Sequence, residues 1–322
     1  MVINPAWGET SVRSWLFLFS CNLMWALQFT CIKLVQDQVG PLFTVWGPMT
    51  LALIMLYPWL RLEGAQEQPG LAAGRPNLVC IYLLLAAVGV FPAQVFMTWG
   101  TRMSLASNAA LINLTLPVTT ALFAFIFLRE RMTSLRWISF GIAISGVLLC
   151  SGIDFRGLSF GSGYLAGNLL IFGATLGSAF YNSYGKKALA WHSPMRMLFY
   201  TYVAVCGLMA PVVLLQEGSV FSRIPQFTLS TWSGLILLTF FHNYLSMILF
   251  LKALKNLDAM QAGLSNYLIT FFGVPIAAIW LGERLTRSAV AGGVLVLAST
   301  LLITLWHEKR NTVTAQAVGQ PE

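Results

Sequence analysis

The sequence repeats itself at a fixed offset of 153 residues, and any fold for the chain has to accommodate that repeat. Residues 106–133 return as 259–286 without a gap. The register pairs Ala106 with Ala259, Ala109 with Ala262, Leu111 with Leu264 and Asn113 with Asn266. It then pairs Leu128, Glu130, Arg131 and Thr133 with Leu281, Glu283, Arg284 and Thr286. The same offset joins Lys33 to Lys186 and Pro58 to Pro211, so one register holds from residue 33 to residue 302. The chain is a duplication, and its architecture is two copies of one unit.

The chemistry of each unit follows from its charges. Charged residues make up 9% of the chain, against about 25% in soluble domains. Hydrophobic residues make up 57%. A chain of this kind is an integral membrane protein. The net charge of +8 is spread as single or paired Lys and Arg between apolar spans, which is the pattern of membrane-protein loops and not of a nucleic-acid surface. Cys21, Cys31, Cys80, Cys150 and Cys206 form no CxxC pair and read as small apolar side chains. The three histidines are isolated, so neither metal-ligand spacing nor a cofactor motif is present.

Ten spans are long enough to cross a bilayer, at about 15–33, 41–60, 77–101, 106–128, 135–152, 161–185, 195–215, 229–251, 258–281 and 287–306. They must be helices, because lipid leaves no partner for a free backbone group. The first span is too long for a signal peptide and has no cleavage site after it. With the N-terminus in the cytoplasm, 13 of the 19 Lys and Arg residues fall inside and 6 outside, which favours cytoplasmic termini. Five spans per unit is an odd number, so the second unit enters the membrane in the opposite direction to the first. The expected fold is therefore all-α, with ten transmembrane helices in two inverted-topology five-helix repeats. The repeats cover 13–152 and 160–306, and a cytoplasmic tail covers 307–322. This is a plan used by secondary transporters.

The repeated Leu-x-Glu-Arg-x-Thr after the fourth span of each unit, with Lys33 and Lys186 after the first, resembles the drug/metabolite transporter superfamily and within it the EamA-like family. The resemblance covers about residues 15–306. It implies export of amino acids, other metabolites or drugs across a bacterial inner membrane, without fixing the substrate. Small four-span relatives carry an essential acidic residue in their first helix. The first span here has none, so that proton chemistry is not carried over.

Polar residues inside the spans point to a site, because each needs a partner or water. Asn22, Trp25 and Gln28 share one face of the first span. Gln94 and Thr98 in the third span, Ser178, Tyr181 and Asn182 in the sixth, His242 and Ser246 in the eighth, and Asn266 and Thr270 in the ninth are spaced alike. Singly, each reads equally well as an interhelical hydrogen bond. Together they describe a polar cavity between the units. The expected substrate-binding residues are Asn22, Trp25, Gln28, Gln94, Asn113, Tyr181, Asn182, His242 and Asn266. Gly141/Ser145 and Ala289/Gly293 are small-residue pairs suited to close packing within a monomer, or in a weak homodimer.

Three apparent cofactor, modification or catalytic motifs are decoys. The GxGxxA at 161–166 opens a membrane span with no strand before it. The sequon at Asn113 lies at membrane depth. His242 has no acid or nucleophile at catalytic spacing. The functional expectation is a secondary exporter of a small metabolite, not driven directly by ATP since no P-loop is present. Two other classes compete. One is a membrane enzyme acting on lipid-linked substrates, for which only Asp154, His192 and Glu217 offer themselves. The other is a non-transporting receptor or scaffold.

Overall fold

The chain satisfies its backbone with helices alone; among the described residues there is no strand. The structure is a computed structural model that describes residues 5–64, 78–128, 134–150, 164–189, 193–257, 265–299 and 302. Glu130 and Arg131 of the first motif, the 161–163 decoy glycines, Asp154, His192 and the tail lie outside these. In chain order, α1 is Pro5–Val35 and α2 is Pro41–Gly64. α3 begins as Leu78–Leu84, widens into a π-helical turn at Leu85–Val90 and continues as Phe91–Met103. α4 is Ala106–Ile112, a 3-10 turn at Asn113–Thr115, then Leu116–Leu128. α5 is Ser134–Cys150, α6 Leu165–Ala188 and α7 Pro194–Glu217. α8 is Leu229–Leu237, a π-helical turn at Leu238–Leu245, then Ser246–Asn256. α9 is Tyr267–Leu281 and α10 is Arg287–Ser299.

Five of the described helices are long and apolar enough to cross a membrane: Arg13–Val35, Pro41–Arg61, Val79–Met103, Pro194–Glu217 and Leu229–Asn256. The outer faces of the helices carry large bare hydrophobics. Leu215, Leu229 and Ile279 are each 86% exposed, which water would penalise and lipid does not. The protein is a multi-pass membrane protein.

The duplication is visible in the irregularities. The two π-helical turns begin at Leu85 and Leu238, one repeat offset apart. Different chemistry supports each. In α3 the Phe91 amide donates back five residues to Ala86 O, and Pro92 has no N–H with which to resume the normal ladder. In α8 Asn243 Nδ2 donates to Leu238 O at 2.8 Å, and Tyr202 Oη donates to Asn243 O at 2.7 Å. The break in α4 has a third cause. Pro117 cannot donate, the Leu116 amide turns to Asn113 O, and Thr115 Oγ1 donates to Ile112 O at 2.8 Å.

Packing crosses between the units. α1 lies against α8 and α9, and α6 lies against α3 and α4. Gln28 meets Gln94 and Lys33 meets Arg102, so α1 and α3 run in the same direction. Gly100 meets Gly167 and Gly89 meets Tyr181, so α3 and α6 run in opposite directions. α1 and its register mate α6 therefore run oppositely. The α3–α6 crossing is a contact of backbone on backbone. A Cβ on Gly100 would stand 2.5 Å from Gly167 O, and one on Gly167 would stand 2.8 Å from Gly100 O.

The small-residue pairs fall differently from expectation. Among the described residues, Gly141 has nothing within 4 Å of where a Cβ would be. The packing glycine of α5 is Gly146, whose Cβ would lie 2.7 Å from Gly292 O on α10. Gly293 does pack, against Leu111.

One end of the bundle is sewn by helix-end contacts. Glu283 Oε1 and Oε2, just past α9, accept from the amides of Ala106 at 2.9 Å and Ser107 at 2.8 Å. Glu217, ending α7, accepts from Leu42 N at 3.1 Å and Phe43 N at 2.7 Å at the start of α2. Both carboxylates satisfy amides that a helix start leaves without partners, where negative charge is also favoured. Arg102 Nη1 and Nη2 donate to Val39 O at 2.5 Å and Gln36 O at 2.8 Å.

Candidate solute-binding site

Helices α1, α3, α4, α6, α7, α8 and α9 enclose a cavity of about 80 Å³. Its lining includes Trp25, Gln28 and Phe29 from α1, Gln94 and Met97 from α3, and Asn113 and Leu116 from α4. From the second unit come Ser178, Tyr181 and Asn182 on α6, Tyr202 on α7, His242, Met247 and Phe250 on α8, and Asn266 and Ile269 on α9. Gln28, Asn113, Tyr181, Asn182, His242 and Asn266 are all buried. Its volume holds several waters but is smaller than the roughly 300 Å³ at which ligand pockets begin. A solute larger than a few waters requires the helices to part.

Most of the lining obeys the repeat. The offset of 153 joins Trp25 to Ser178, Gln28 to Tyr181, Phe29 to Asn182, Gln94 to Met247, Met97 to Phe250, Asn113 to Asn266 and Leu116 to Ile269. The cavity thus lies where the two units face each other. Only Asn113 and Asn266 keep the same side chain across it.

Eight of the nine residues read from the sequence line this cavity, and Asn22 does not. Asn22 is fully buried, and its Nδ2 donates to Leu18 O and to Ser265 Oγ, both at 2.8 Å. It is an interhelical tie between α1 and the start of α9. Phe29, Met97, Tyr202, Met247 and Phe250 were missed. The offset identifies four of them as mates of polar positions or of one another. Tyr202 has Met49 as its mate, so no such signal marks it.

The polar groups form a partial network. Gln94 Oε1 accepts from Gln28 Nε2 at 3.2 Å and lies 3.2 Å from His242 Nε2. That contact joins α1, α3 and α8 across the cavity, with the His242 tautomer carrying its proton on Nε2. Ser246 Oγ donates to His242 O. Five further atoms have no hydrogen-bond partner among the described residues: Trp25 Nε1, Tyr181 Oη, His242 Nδ1, and Oδ1 and Nδ2 of Asn266. Each costs about 1–3 kcal/mol if left unmatched. A solute or water carrying both donors and acceptors recovers that cost. The indole of Trp25 packs on Phe250 with centroids 5.0 Å apart, which adds an aromatic wall. Among the described residues, no Asp, Glu, Lys or Arg lines the cavity.

A second cavity of about 460 Å³ lies between α2 and α8, lined by residues such as Phe43, Trp46, Phe221 and Trp232. Its hydroxyls are spent within their own helices, Thr50 Oγ1 on Trp46 O at 2.7 Å and Thr239 Oγ1 on Leu235 O at 2.8 Å. It has no polar group free to orient a polar solute. Glu217, one of the three groups considered for an enzyme, is committed to capping α2.

A family model described as the EamA-like transporter family matches residues 13–152 and again 165–305. The chain belongs to the EamA-like transporter family. Among similar proteins is the "Probable terminal-alkyne amino-acid exporter" of Streptantibioticus cattleyicolor, 25% identical over 87% of this chain and 89% of that one. The "Uncharacterized transporter YyaM" of Bacillus subtilis is 25% identical over 80% and 81% of the two chains. An "Uncharacterized transporter" of Archaeoglobus fulgidus is 23% identical over 91% and 99%. A solved crystal structure, 14% identical, has the same fold with a TM-score of 0.62 over 94% of this chain and 98% of that one. Transport as the general function follows from family membership.

Proposed function

We propose that the protein is a secondary transporter that exports a small amphipathic, amino-acid-like metabolite by alternating access. Ten helices span the inner membrane as two inverted units with both termini cytoplasmic, and the solute binds in the central cavity. Gln28, Gln94, Asn113, Asn182 and Asn266 hydrogen-bond it, and Trp25 and Tyr181 supply aromatic contact. One chain contains the whole site, so a monomer suffices. The observation that carries this reading is the convergence of register-paired positions on one cavity in which five polar atoms lack partners among the described residues. The opposed courses of α1 and α6 support the inverted plan. The printed name of the Streptantibioticus relative supports an amino-acid-like solute.

Membrane vesicles containing the protein and a labelled metabolite panel test the function. Saturable movement of an amino-acid-like solute is expected, and movement of none across the panel would end the reading. Reporter fusions after Arg131 and after Arg284 test the topology. They are expected on opposite sides of the membrane, and a shared side removes the inverted plan.

Energy coupling has one candidate at this depth. Around His242, α6 and α7 present the phenols Tyr181 and Tyr202, α1 and α3 present the uncharged Trp25, Gln28 and Gln94, and among the described residues no charged side chain lines the cavity. Imidazole is the group there whose ordinary titration is nearest neutral pH. His242→Gln is expected to abolish transport driven by an imposed pH gradient while sparing solute-for-solute exchange. A glutamine variant still driven by the gradient would remove His242 from coupling.

A further inference from the structure

Lys33 and Lys186 are register mates, and neither lines the cavity. Each ammonium reaches the last turn of the third helix of its own unit. Lys33 Nζ donates to Arg102 O, at the end of α3, at 3.3 Å. Lys186 Nζ donates to Lys255 O, at the end of α8, at 3.2 Å. Arg102 and Lys255 are themselves mates, so the same bond is made twice. The last carbonyls of a helix have no partner within it, and a cation there meets both the free oxygens and the negative end of the helix dipole.

The two copies are set differently. Lys186 also holds Leu254 O at 2.6 Å and Leu257 O at 2.7 Å. Thr101 and Ser104 are the mates of Leu254 and Leu257, but among the described residues Lys33 bonds neither. Ser104 at that end is joined instead to α6, through Ser104 Oγ to Asn168 Oδ1 at 2.5 Å. Among the described residues, one ammonium thus holds three backbone carbonyls and its mate holds one.

We propose that Lys33 and Lys186 are paired positioning residues of the transport cycle, and that their settings exchange when the cavity turns to the other side of the membrane. This rests on the alternating-access reading above. In the exchanged state Lys33 takes the carbonyls of Thr101, Arg102 and Ser104, and Lys186 keeps only that of Lys255. Two units of one fold that trade conformations must trade these backbone contacts too. The Lys186 ammonium therefore favours the state described, and the Lys33 ammonium favours its opposite. A ligand or side chain shifts such an equilibrium only by its difference between the two states.

The test uses a cavity cysteine, Ser178→Cys, in a chain whose five native cysteines are replaced. Labelling by a membrane-impermeant maleimide is measured from each face of sealed vesicles. Lys33→Met and Lys186→Met are expected to shift the ratio of labelling between the faces in opposite directions, each by at least about fivefold, the lower range of coupling between states. Lys33→Arg and Lys186→Arg, which keep the positive charge and its donors, are expected to restore most of the ratio. Lys186→Gln replaces the methionine variant if the latter does not accumulate, with the same sign expected. Shifts in the same direction, or none, overturn the exchange. Solute flux by the chain without the reporter separates the two failures. Flux with same-sign shifts sinks the lysine proposal alone, and a wild type that moves no solute sinks the transporter reading.

Discussion

Asn266→Leu is expected to reduce transport at least about tenfold while leaving the folded protein as stable as before, or more so. Both ends of the Asn266 amide lack a partner among the described residues, and the residue is 1% exposed. Replacing an unmatched buried amide with an apolar side chain of similar size removes a desolvation cost of about 1–3 kcal/mol and breaks no internal bond. The loss falls on the solute instead, where one missing hydrogen bond worth about 1.4 kcal/mol is a tenfold change in affinity. Asn22→Leu is the control with the opposite signature. It breaks the ties to Leu18 O and Ser265 Oγ, so it is expected to lower stability by about 1–2 kcal/mol with a smaller effect on transport. Thermal unfolding in detergent and initial transport rates measure the two quantities. An Asn266→Leu protein that transports normally would make this residue a packing group.

Gly100→Val is expected to prevent accumulation of folded protein. A Cβ at Gly100 meets Gly167 O at 2.5 Å and Ile171 N at 2.9 Å, and neither atom belongs to a flexible side chain. Relief requires α3 and α6 to separate along their crossing, which also displaces Gln94, Tyr181 and Asn182. Overpacking a tight core site by a few atoms costs about 1–3 kcal/mol, and valine adds two methyl groups beyond the Cβ that already collides. Gly207→Val is the matched control, because its Cβ position has nothing within 4 Å. Comparison of folded yields by size-exclusion chromatography checks the pair. Equal yields would show that the α3–α6 crossing can open freely.

The course of the helices was largely legible, and physical reasons separate what was from what was not. The starts at Pro41, Ala106, Pro194 and Leu229 fall within a residue of expectation, because apolar runs bounded by turn residues leave little freedom. α1 begins earlier, at Pro5, since helix propensity continues past the apolar window. The cavity positions were legible through the cost of placing amides in lipid, which singles out Gln28, Gln94, Asn113, Asn182 and Asn266. That argument cannot separate a side chain bonded to a neighbouring helix from one facing a cavity, so it included Asn22. It is also blind to apolar walls such as Phe250 and Met247, which the repeat offset would have supplied. The π-helical turn in α3 has a sequence signal in Pro92. The one in α8 has none, since it depends on Tyr202 from another helix reaching Asn243 O.

The unlike pairs across the cavity bear on how such a site can evolve. Two identical chains meeting on a twofold axis must present every side chain twice, so a site between them can match only a solute that is itself symmetric or that tolerates being bound in two orientations. Joining the two copies in one polypeptide lifts that constraint. Each half can then mutate alone, as Gln94 opposite Met247 and Phe29 opposite Asn182 record. In the first pair the amide belongs to the first unit, in the second to the second unit, and His242 stands where its mate is Gly89. A site shared by two identical chains would present each of these groups twice; the fused chain presents each once and can require a single orientation of an asymmetric solute.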